Sequence, residues 1–158
     1  MVYSRLDTAL TSGDADDYAK ILLAAPMRPL VDIEINSTDA YSNYNIKIQG
    51  SKGTYKATPK AYEMTYIVDG ENPERPVVEE FLQDEAGEPI YCKEKLIKHT
   101  ESGEFKGTAF DVGTATLYKQ LYNKLTQGTP MTVTPEMAAA VIGVAETAHA
   151  QNPLPVKF

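Results

Sequence analysis

Residues 43–58 read NYNIKIQGSKGTYKAT, and this stretch decides the fold class. Tyr44, Ile46 and Ile48 alternate with Asn45, Lys47 and Gln49. A period of two sends one set to a buried face of a strand and the other to a polar face. Gly50-Ser51-Lys52-Gly53 supplies a tight turn, because glycine tolerates the backbone angles of a reversal. Thr54 to Thr58 returns, so residues 43–58 are predicted to form a β-hairpin.

The same alternation extends in both directions. Upstream, Val31, Ile33 and Ile35 interleave with Asp32, Glu34 and Asn36. Tyr18 to Ala25 (YAKILLAA) fits a strand or a short helix; its place before another strand and its stop at Pro26 favour the strand. Downstream, Tyr62, Met64, Tyr66 and Val68 continue the pattern. Residues 69–76 (DGENPERP) form a loop by composition, Val77 to Leu82 a further strand, and Glu85 to Pro89 a turn. Tyr91 to His99 is expected to be an extended edge segment whose lysines discourage further pairing, and Glu101 to Glu104 a loop.

The period changes in the last third. Ala115, Tyr118, Leu121, Tyr122 and Leu125 make an i, i+3, i+4 stripe that predicts a helix over 111–127, closed by Gly128. Thr134-Pro135-Glu136 opens a second helix with a capping hydroxyl, a proline in the first turn and a carboxylate at the positive end of the dipole. Its expected buried stripe is Met137, Val141, Val144, Ala145 and Ala148, and Pro153 and Pro155 end it. Ala138 to Ala140 would allow close packing against a neighbour. Strands first and helices last predict one α+β domain over 1–158. Its expected form is an open, mostly antiparallel (mixed) sheet with two C-terminal helices packed on one face.

Composition bounds the function. The chain has 158 residues, 15 Lys+Arg against 22 Asp+Glu, a formal net charge of −7 and 42 % hydrophobic residues. These are the proportions of an ordinary globular domain. No basic stripe exists to displace phosphate counterions, which argues against a nucleic-acid partner. No run reaches the ~18 apolar residues of a membrane helix. The first residues lack an apolar signal core, so a cytoplasmic location is expected and the Asn36-Ser37-Thr38 sequon is read as chance. Cys92 is the single cysteine and His99 and His149 are the two histidines, too few for an internal disulfide or a Cys/His zinc site.

Reactive motifs are scarce. The chain has no Gly-x-Gly-x-x-Gly, no phosphate loop and no Gly-x-Ser-x-Gly elbow. His99 and His149 lie on different segments and are read as surface residues. Asp14, Asp16 and Asp17 form the best charged cluster, as a solvated loop or as a hydrogen-bonding or metal-touching carboxylate pair. The ten tyrosines, with no tryptophan, suit strand packing first and interface or sugar-stacking surfaces second.

Three ordered blocks resemble the glucose–fructose oxidoreductase / inositol dehydrogenase (Gfo/Idh/MocA) family. Asp111 to Tyr122 leads through Gly128-Thr129-Pro130 to Val133-Thr134-Pro135-Glu136 and an alanine-rich helix. Asp16-Asp17-Tyr18 precedes a strand. Ile48 to Tyr55 matches the family's Gly-Thr-x-Gly hairpin in all but the second position. The resemblance covers about residues 14–150 and implies the later part of that family's C-terminal substrate and oligomerisation domain. Met1 would then start an engineered fragment or a truncated gene product.

The family's N-terminal Rossmann domain, its Glu-Lys-Pro segment with the catalytic lysine and its Asp-x-x-x-His pairing have no counterpart here. No catalytic, cofactor-binding or metal-ligating residue is therefore carried over. The whole protein would use NAD or NADP on a sugar, cyclitol or related polyol, and this chain alone would be inactive. With helices on one sheet face, the other face is expected to meet a second copy, a dimer by symmetry, through Asp32, Glu34, Asn45 and Lys47. The competing expectations are a stand-alone α+β small-ligand binding module with a tyrosine-rich wall and, last, a hydrolase or isomerase using Asp14 to Asp17.

Overall fold

The computed structural model describes residues 1–11, 15–74, 77, 79, 81–91 and 95–154. The chain belongs to the α+β class, and the described residues contain seven strands and two helices. The strands are β1 (Tyr3–Asp7), β2 (Tyr18–Leu23), β3 (Val31–Asn36), β4 (Ile46–Gly50), β5 (Gly53–Ala57), β6 (Ala61–Tyr66) and β7 (His99–Glu104). The helices are α1 (Ala109–Gln127) and α2 (Pro135–Gln151). Every pairing between these strands is antiparallel. The strands build two sheets, β1-β2-β3 and β4-β5-β6-β7, where the sequence suggested one. The chain divides into two compact units, Met1–Ser42 with Ala115–Phe158, and Asn43–Thr114.

The first unit has a core. Its register aligns Ser4, Ile21 and Ile33 in one row and Leu6, Ala19 and Ile35 in the next row on that face. Leu6, Ala19 and Ile21 are buried with Ala148 of α2, and Leu23, Ile33, Val144 and Leu154 close around them. The small Ala148 side chain, 1 % exposed, lets the helix approach the sheet closely. At the end of α2 the Asn152 amide donates to Ser4 Oγ and to the Ala148 carbonyl, each at 2.9 Å. Ser4 Oγ in turn donates to Gln151 Oε1 at 2.6 Å. The opening of α2 follows its sequence signature: Met137 N–H donates to Thr134 Oγ1. The hydrogen bond with Thr134 also holds the Glu136 carboxyl below its ordinary pKa.

The α2 stripe is narrower than its periodicity implies. Val144 and Ala148 reach the core, but Met137, Val141 and Ala145 are exposed. Only the C-terminal half of the helix lies over the sheet's apolar face. α1 forms where expected, yet Ala115, Tyr118, Leu121, Tyr122 and Leu125 are all exposed and none of its side chains is buried.

The second unit is a four-stranded meander. Glu101 to Glu104, expected as a loop, lies in β7, because cross-strand pairing with β6 over Ala61↔Glu104 to Tyr66↔His99 overrides polar composition at a sheet edge. β1 was likewise hidden: Tyr3–Asp7 (YSRLD) has no apolar alternation, and its identity comes from pairing with β2. Positions 78 and 80 of the strand expected over Val77 to Leu82 lie outside the described residues, and Val77, Glu79, Phe81 and Leu82 are not in a strand. The turn at Glu85 to Pro89 is present, bounded by a Gln83↔Pro89 bridge. Of the segment Tyr91 to His99, residues 92–94, Cys92 among them, lie outside the described residues.

Candidate functional site

Within the second unit the register gathers one face of β4–β7 from Ile46, Ile48, Tyr55, Tyr62, Met64, Tyr66 and His99. Lys47, Lys56, Glu63 and Thr65 fall on the opposite face, as a period of two requires. The first face carries rings in contact. Tyr55 and Tyr62 stack with centroids 5.9 Å apart, and Tyr62 meets Phe105 at 5.6 Å. Tyr66 and His99, directly opposed across β6 and β7, stack at 5.5 Å with 29° between planes.

Two glycines make this packing possible. A Cβ at Gly53 would stand 2.6 Å from the Thr65 carbonyl oxygen, so β5 and β6 approach too closely there for any side chain. A Cβ at Gly103 would stand 2.7 Å from the Tyr62 ring, which lies across the bare glycine.

Polar groups rim the rings. Tyr66 donates its hydroxyl hydrogen to Glu101 Oε1 at 2.6 Å. That bond, with desolvation and the nearby negative charges of Glu101 and Glu71, pushes the phenol above its ordinary pKa. His99 Nε2 lies 2.5 Å from Glu71 Oε2, both side chains half-buried. Asn72 fixes the loop that carries Glu71: its amide donates to the Ile97 carbonyl and its carbonyl accepts from Ile97 N–H. Such a set can stack on the apolar face of a ring and exchange hydrogen bonds with hydroxyl groups. Among the described residues no group of three or more His, Cys, Asp or Glu is placed to hold a metal ion.

The acidic cluster in the first unit has a different role. Asp14 lies outside the described residues. Asp17, 6 % exposed, accepts from the backbone N–H groups of Ala9, Leu10 and Thr11 at 2.8, 2.5 and 2.9 Å. These bonds, those from Ala9 and Leu10 foremost, lower its pKa and keep it ionised while buried. Asp17 therefore anchors the loop between β1 and β2. Asp16 faces His149 of α2 at 3.4 Å.

The residues expected on an oligomer face are divided between the units. Asp32 and Glu34 both engage Lys20, at 2.8 and 3.0 Å, and those bonds, Asp32 first, raise the lysine above its ordinary pKa. Asn45 and Lys47 belong to the second unit, where Asn45 N–H donates to the Ala57 carbonyl and Lys47 Nζ lies 6.0 Å from the Tyr44 ring centre. Sequence reading missed the Tyr66–His99–Glu71–Glu101 group because its members come from three segments. The available signals were the abundance of tyrosine, Tyr66 among them, and His99 closing the lysine-rich run that leads into β7.

Comparison with protein-family models, with curated proteins and with solved structures finds no match to this chain. No helix among the described residues is long and apolar enough to cross a membrane.

Proposed function

We propose that this chain is the substrate-binding and oligomerisation domain of an NAD(P)-dependent oxidoreductase acting on a sugar, cyclitol or related polyol. Another domain of that protein supplies the nicotinamide site and the catalytic lysine. The observation that carries the reading is what the residues behind the family resemblance do. Asp17 anchors a loop, Gly53 permits a close strand approach, and Thr134 caps α2. They are fold-determining residues spread over both units, as expected of a shared scaffold whose chemistry lies elsewhere.

Two further features support it. The ring-and-carboxylate face of β5–β7 suits hydroxyl-rich ligands, and α1 leaves Phe110, Leu117, Tyr118, Tyr122 and Leu125 exposed. Apolar surface of that extent fits a domain that other parts of an assembly cover. The assembly in this reading is a homodimer; the expected polar contacts fall on two sheets, so Asp32 and Glu34 would serve it through the first unit and Asn45 and Lys47 through the second. A cytoplasmic location belongs to the same reading.

A second reading, a self-sufficient small-ligand binding module, draws on one fact: Tyr66, His99, Glu71 and Glu101 all lie within Asn43–Thr114. The deciding experiment expresses the complete reading frame that encodes this chain and follows nicotinamide absorbance with a panel of sugars and cyclitols. The oxidoreductase reading expects turnover by that product and none by residues 1–158. A frame that encodes no nicotinamide-binding domain, with polyol binding by the chain itself, would replace it with the second reading.

A further inference from the structure

We draw no further inference here: the strongest candidate, the exposed apolar stripe of α1 (Phe110, Leu117, Tyr118, Tyr122 and Leu125), is an unpartnered helix face, and nothing in the structure shows what covers it.

Discussion

The two sheets start from the same sequence pattern and reach different ends. In β1–β3 the apolar face meets α2 and buries Leu6, Ala19 and Ile21. In β4–β7 the corresponding face stays largely open: Ala57 is its one buried hydrophobic residue among those described, and Ile46 and Ile48 are exposed. Alternation specifies which residues share a face; it does not specify what that face is packed against. The first sheet is held by burial under a helix, the second by rings lying along neighbouring strands and by the glycines beneath them.

The largest effect is expected at the loop anchor. Asp17→Ala strips three N–H groups of their charged acceptor, and the first unit should melt at least about 20 °C lower. Asp17→Asn, which keeps one acceptor oxygen, should recover part of that loss. Amide spectra of Asn43–Thr114 should stay unchanged in both variants. A melt unaffected by Asp17→Ala would remove the anchor from the account. The same group sets the acid response. Its folded-state pKa lies below the ordinary 3.8, so its contribution is complete above that value and is lost as pH falls through the folded-state one. Hydrogen-exchange protection at Ala9, Leu10 and Thr11 should fall in acid before protection in β5 and β6 does.

A matched pair of truncations tests the contrast between the sheets. Ile21→Ala, at a side chain 8 % exposed, should cost about 2–5 kcal/mol by chemical denaturation. Ile48→Ala, at one 60 % exposed, should stay within about 0.5 kcal/mol. Equal costs would mean that the second sheet has a cover of its own in solution.

Glycine substitutions probe the second sheet from inside. Gly53→Ala meets backbone and should cost roughly 1–3 kcal/mol. Gly103→Ala meets a movable ring, so it should cost less, about 0.5–1.5 kcal/mol, with the loss of ring-current shifts between Tyr62 and Phe105. A small effect belongs to Lys20→Met. Its partners are half-exposed, so the loss should stay below about 1 kcal/mol and shrink as salt is added.

Much of the fold was legible because local rules govern it. The hairpin of β4 and β5 follows from alternation and a glycine turn, and α2 from its Thr134-Pro135-Glu136 opening. β1 and β7 were not legible, since His99–Glu104 is polar and Tyr3–Asp7 lacks apolar alternation; each is a strand because a neighbour pairs with it. The break between β3 and β4 was equally hidden, as similar alternation on both sides suggested one sheet. The site was less legible still. Asp17 was singled out for charge, but its role depends on the N–H groups of residues 9–11 turning toward it. The Tyr66–His99 stack needed a register that no single segment encodes.

In the proposed function this chain would bind a hydroxyl-rich ligand and leave nicotinamide chemistry to another domain. The most direct test is an NMR titration of residues 1–158 with a cyclitol and, separately, with NADH. The account predicts that the cyclitol shifts Tyr62, Tyr66 and His99 while NADH shifts nothing. Specific shifts with NADH, or cyclitol shifts that avoid the β5–β7 face, would contradict it.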